Sequence, residues 1–96
     1  MTRYLALHIS YDPDKNQRNI EERELSFDDA IDFDWETAQV KQDTRKPYPE
    51  VRYIAVGFLR SRLHILCFAE TDNGIRVISF RKANKREQKA YATLNQ

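Results

Sequence analysis

The chain has 96 residues, a mass of 11.4 kDa, 41% hydrophobic and 32% charged residues, with only 2 Gly and 3 Pro. That is the length of one domain, expected over residues 1–96, and too apolar for a disordered or collagen-like chain. One cysteine, Cys67, excludes an internal disulfide framework and a Cys-based zinc site, and two histidines, His8 and His64, argue against a multi-His metal site.

No apolar run approaches the ~20 residues of a membrane span. The start, from Met1 to His8, lacks the apolar stretch of a signal peptide. A reduced, cytoplasmic protein without metal or cofactor is expected. The net charge of +1 conceals an asymmetry: residues 1–48 hold 7 Lys/Arg and 11 Asp/Glu, residues 49–96 hold 9 and 4. An acidic half followed by a basic half suggests a polarised surface, although ordinary solvated charge gives the same count.

In chain order, residues 6–11 read as a short strand. Asp12-Pro13 then starts a polar helix to about Arg23, with Asp12 as cap and Pro13 at the first helical position. Ser26 caps a second, shorter helix through Phe27, Ala30 and Ile31, with Asp28 and Asp29 in its first turn. Residues 37–43 read as a polar edge strand, and Pro47 and Pro49 mark the connection after it. Strands follow over 50–59, 62–71 and 75–81, with joints at Arg60-Ser61 and at Asp72-Asn73-Gly74. Asn73-Gly74 reads as the strong hairpin signal, since both residues tolerate positive φ. Residues 83–94 form a last helix with Lys82, Lys85, Arg86 and Lys89 on one side. The order predicts an α+β fold: an antiparallel four-stranded sheet, five-stranded if the first segment joins, with two N-terminal helices and one C-terminal helix.

Alternation along the strands sorts side chains by face. Ile54, Val56 and Phe58, then Leu63, Ile65, Cys67 and Ala69, then Ile78 and Phe80 are the expected core face. The opposite face collects Tyr53, Arg62, His64, Leu66, Phe68, Glu70, Val77, Ser79 and Arg81. Apolar residues mixed with arginines suggest a groove whose ligand carries phosphates, which Arg grips through its planar fork. RNA cleavage without a metal needs a base, cations for the phosphorane charge and an acid. His64 or Glu70 fits the base; Arg62, Arg81 and Arg76 fit the cations; Tyr53 or Tyr91 fits base stacking or proton donation. The same face fits an anion-binding or protein-binding surface, which alternation does not separate from a nuclease.

An ordered series of motifs resembles the BrnT toxins of bacterial type II toxin–antitoxin systems, from about Ile9 to Tyr91. The series is Tyr11-Asp12-Pro13, Lys15-Asn16 with Asn19, Ser26-Phe27-Asp28-Asp29-Ala30, Arg52-Tyr53-Ile54-Ala55-Val56-Gly57, and Ile75-Arg76-Val77-Ile78-Ser79-Phe80-Arg81-Lys82-Ala83 with Glu87 and Tyr91. The resemblance implies a RelE-like fold, metal-independent RNA cleavage that inhibits translation, and a BrnA-like antitoxin that alone contacts DNA. It implies functional roles for Arg76 and Arg81, with Arg52 a further candidate. Catalytic roles are thus expected for Arg76, Arg81, His64 and Glu70, and RNA contacts for Arg52, Arg62, Lys82, Arg86 and Tyr91. The family pattern's Lys-His-Gly at the end of the first helix reads Glu22-Arg23-Glu24 here. That departure sustains an alternative: a catalytically weak or inactive member that binds an antitoxin or adaptor protein.

Overall fold

The structure, a computed structural model, describes residues 8–94. Its elements are β1 (His8–Tyr11), α1 (Pro13–Arg23), a 3-10 helix (Phe27–Asp32), β2 (Gln39–Gln42), β3 (Tyr53–Leu59), β4 (Arg62–Thr71), β5 (Gly74–Lys82) and α2 (Lys85–Leu94). The expected strand start at Ala6-Leu7 lies outside the described residues.

The sheet has five strands in the order β1-β5-β4-β3-β2. It is mixed rather than antiparallel, because β1 runs parallel to β5, with His8 opposite Gly74 and Tyr11 opposite Val77. Gly74 makes that pairing possible: a Cβ there would lie 2.0 Å from the His8 carbonyl oxygen. Its role is close backbone approach, not a positive φ. Among the described residues the positive-φ hairpin turn is Arg60-Ser61 (φ 48° and 71°), the two-residue loop between β3 and β4. The expected second helix is the 3-10 helix, six residues long. Ser26 caps it as expected, its Oγ accepting from the Asp28 amide at 3.1 Å. Six residues is long for a 3-10 run and short for an α-helix.

The sheet buries both faces, and the expected order of the two is reversed. Ala55, Leu59, Leu66, Phe68, Ile75, Val77 and Phe80 form the main core with Leu25, Phe27, Ala30 and Phe33 from the 3-10 segment. Each large buried side chain contributes about 1.5–3 kcal/mol. Phe80 is in that core as expected, but Leu63 and Ile65 form a smaller cluster with Ala83 on the other face, with Ile54, Val56, Phe58 and Tyr91 packed against it. The reversal runs through β3 and β4, and in β5 a bulge confines it to the residues before Ile78. Phe68 pairs with Val77 and Cys67 with Ser79, so Ile78 is the extra residue and the alternation flips there. Val77 and Phe80 therefore share the main core, while Arg76, Ser79 and Arg81 share the opposite face. Gly57 lies under the main core, where a Cβ would meet Phe33 Cζ at 2.7 Å.

Two buried asparagines, rather than apolar residues, join α1 to this core. Asn16 Oδ1 accepts from the Phe27 amide at 2.8 Å. Asn19 Nδ2 donates to the carbonyls of Leu25 and Phe80, both at 2.9 Å. Each would be costly to leave unsatisfied. Helix α1 ends at Glu24, which is left-handed (φ 55°, ψ 38°) and whose amide donates to the Ile20 carbonyl. That is the position of the family pattern's glycine. A side chain there costs energy that glycine avoids. Glu24→Gly is expected to raise the unfolding free energy by about 0.5–1 kcal/mol in urea titrations, after offset by glycine's greater unfolded-state freedom.

Candidate functional site

Helix α2 lies over the smaller core without burying any of its own residues. Its start is held by a reciprocal cap: Asn84 Oδ1 accepts from the Glu87 amide at 2.8 Å, and Glu87 Oε1 accepts from the Asn84 amide at 2.9 Å. Further along, the Tyr91 ring meets Phe58 edge-on at 5.5 Å, and its hydroxyl donates to the Thr37 carbonyl at 2.7 Å. The helix thus touches the sheet at its two ends and leaves a groove of about 700 Å³ beside it. Ile54, Val56, Ile65 and Cys67 form the floor, Val40 and Leu94 the rim. The charged lining residues are Lys41, Arg45, Arg81 and Glu87. Three cations against one carboxylate, over an apolar floor, fit an anionic ligand with apolar rings.

Arg81 is the centre of this arrangement. Its Nη1 and Nη2 donate to Glu87 Oε1 and Oε2, each at 2.8 Å. A carboxylate thereby fills the fork that matches phosphate oxygens. The Arg81 guanidinium holds the Glu87 carboxyl down at about 2, aided by the Asn84 amide. Arg45 is fixed by the buried Asp43, whose Oδ1 accepts from the Arg45 amide and Nε and whose Oδ2 accepts from Nη2 at 2.8 Å. The hydrogen bonds from Arg45 keep the Asp43 carboxyl well below the usual carboxylate range. At the hairpin end of the same face, Glu50 Oε1 accepts from Arg76 Nη2 and lies 3.4 Å from Arg52 Nη2. The Arg52 guanidinium stands 4.2 Å from the centre of the Tyr48 ring. Arg81 and Arg76 pair with Ile65 and Ala69, so they are roughly 13 Å apart along the sheet.

The face beneath α2 therefore gathers Arg81, Tyr91 and Arg76, with Arg52 joined through Glu50. Other expected site residues lie elsewhere. His64 is on the main-core face, 3% exposed, with its ring 5.4 Å from Phe80. Its Nδ1–H donates to the Arg62 carbonyl at 2.8 Å. Burial lowers its pKa and so favours the neutral ring. Glu70 is exposed at the hairpin end of β4, opposite Ile75. Arg62 donates to the Ala83 carbonyl at 2.9 Å and braces the entry to α2. Lys82 is exposed and shares a small cavity with Arg23, Leu25 and Arg81, while Arg86 is exposed on α2.

Sequence reasoning missed Lys41, Arg45 and Tyr48 and placed Cys67 in the core. The run Asp43-Thr44-Arg45 offered one signal, since an Asx turn fixes the following cation. Among the described residues no group of three His, Cys, Asp or Glu side chains is placed to hold a metal ion, and no helix is long and apolar enough to cross a membrane.

The Glu87 carboxyl is depressed in the folded chain, so its contribution is present above the unfolded pKa near 4.5 and lost as pH falls toward about 2. Both partners are about a third exposed, which screens the pair. Glu87→Gln, which keeps a capping amide oxygen, is expected to cost about 1 kcal/mol at pH 7. In chemical unfolding at stepped pH, the gap to the parent chain should close between pH 4.5 and about 2.

Comparison with known proteins addresses the family of the chain and its fold. No curated protein sequence matches the chain. A solved structure does: the crystal structure of the Brucella abortus ribonuclease toxin BrnT, with 26% identity and a TM-score of 0.64, over 82% of this chain and 99% of that one. The family model described as "Ribonuclease toxin, BrnT, of type II toxin-antitoxin system" matches residues 11–87, which runs from the first strand into the capping turn of α2. The chain belongs to the BrnT family of type II toxin–antitoxin ribonuclease toxins.

Proposed function

We propose that the chain is the toxin of a type II pair: a RelE-like, metal-independent endoribonuclease that cuts RNA in the cytoplasm and so inhibits translation. A BrnA-like antitoxin would restrain it, and contact with DNA would pass through that antitoxin alone. The observation that carries this reading is the Arg81 fork, set in a cationic groove with an apolar floor.

In the proposed reaction a backbone phosphate displaces the Glu87 carboxylate from Arg81, which then bonds the non-bridging oxygens. Glu87, released from its cation, loses what held its pKa down and becomes a better base. It takes the proton of the 2′-hydroxyl as that oxygen attacks phosphorus. The bond to the 5′ oxygen breaks, and that oxygen takes a proton from water. The products are a 2′,3′-cyclic phosphate and a 5′-hydroxyl. Arg76 holds a neighbouring phosphate along the same face, Arg52 contacts the RNA beside it, and Tyr91 supports the groove wall. Arg62, Lys82 and Arg86 add positive charge around α2. In this proposal His64 supports the fold, because it faces the main core, and Glu70 is outside the groove.

One observation favours the alternative, a chain that binds an antitoxin or adaptor without cutting RNA. Where the family pattern has histidine this chain has Arg23, which shares a cavity with Arg81. A guanidinium there supplies charge but no general base. Expression of the chain alone in bacteria separates the two. Growth arrest with loss of RNA integrity is expected, and Arg81→Ala should lower cleavage of purified RNA by about 10²–10³-fold. Normal growth and intact RNA from a folded, soluble chain would favour the binding module.

A further inference from the structure

A second cavity, of about 510 Å³, lies in the loop between β2 and β3. Arg45 lines both this cavity and the groove under α2, so it borders the two. Tyr48 and Arg52 line the second cavity as a stacked pair, 4.2 Å from guanidinium carbon to ring centre. Pro47 and Pro49 flank Tyr48 and restrict the backbone on both sides of it. Asp43, buried and already bound to Arg45, also interacts with the Tyr48 hydroxyl, and Glu50 ties Arg52 to Arg76. Both carboxylates are therefore committed to cations. What the cavity presents to a ligand is an aromatic ring, a guanidinium plane and positive charge.

We infer that this loop is a nucleobase subsite, in which Tyr48 and Arg52 stack one unstacked base of a single-stranded RNA whose adjoining phosphate lies on Arg45 and Arg81. The inference rests on the ribonuclease reading above. Its chemistry is that of single-strand recognition generally: flat π surfaces and Arg planes take bases, and a cationic groove follows the backbone. The pairing Asp43–Arg45 sets the distance between the base platform and the phosphate seat, so Tyr48 is a specificity-determining residue and not part of the bond-breaking machinery.

The test uses the whole chain and uncleavable 2′-O-methyl oligonucleotides, one carrying all its bases and one of equal length with abasic positions. Affinity is read by fluorescence anisotropy, and folding of each variant by circular dichroism. The parent should bind the base-bearing strand more tightly than the abasic one. Tyr48→Ala should reduce affinity for the base-bearing strand by about 5–100-fold and leave the abasic strand unchanged. Tyr48→Phe, which keeps the ring, should behave as the parent. A Tyr48→Ala chain that still prefers bases overturns the subsite. So does a Tyr48→Phe chain that loses as much as Tyr48→Ala, since the hydroxyl contact to Asp43 would then be what matters. Arg81→Ala separates the readings. If it weakens both strands while Tyr48→Ala weakens neither, the subsite alone falls. If the parent binds neither strand, the ribonuclease reading falls with it.

Discussion

One extra residue in β5 organises this protein. Without the bulge at Ile78, Val77 and Phe80 would point to opposite faces of the sheet, and the main core would lose one of its largest side chains. With it, both fill the core with Phe68 and Leu66. Arg76, Ser79 and Arg81 then share the other face. The same residue count that completes the core thus puts Arg76 and Arg81 on one face, with Arg81 lining the groove.

From Arg81 outward the site depends on two fixed ion pairs. Glu87 closes the capping turn of α2 and the Arg81 fork at once, so the start of the helix and the Arg81 guanidinium are one structure. Asp43 does the same for the loop, fixing the Arg45 backbone and side chain together. Helix α2, which buries none of its own residues, takes its position from that cap and from Tyr91 rather than from a hydrophobic stripe. Such a helix leaves room beneath it, and that room is the groove.

Much of the fold was legible in the residues. Asp12-Pro13 starts α1 and Ser26 starts the 3-10 helix, because capping is local chemistry. The three long strands follow from alternation and turn residues. The face assignment was not legible, since both sheet faces are covered and Ile54, Val56 and Ile65 are as apolar as Leu66, Phe68 and Val77. The bulge leaves only a small trace in β5, the adjacent apolar pair Val77-Ile78 between Arg76 and Ser79, and alternation counted straight through the strand reads past it. The parallel partner β1 depends on a contact between residues 65 or more apart, such as Ile9 and Ile75. Arg76 and Arg81 could be singled out through the family motif, but His64 came from the reversed face. Arg45 and Tyr48 lie in a loop, where spacing carries no facing information.

In the proposed function, RNA meets the α2 side of the sheet and not the side that carries His64. Amide chemical-shift mapping by NMR, with an uncleavable 2′-O-methyl RNA strand added to the labelled chain, tests it directly. Perturbations concentrated at Arg45, Cys67, Ser79, Arg81, Glu87 and Tyr91, with the main-core face quiet, are the expected result. Perturbations centred on α1, the 3-10 helix and His64 would contradict it.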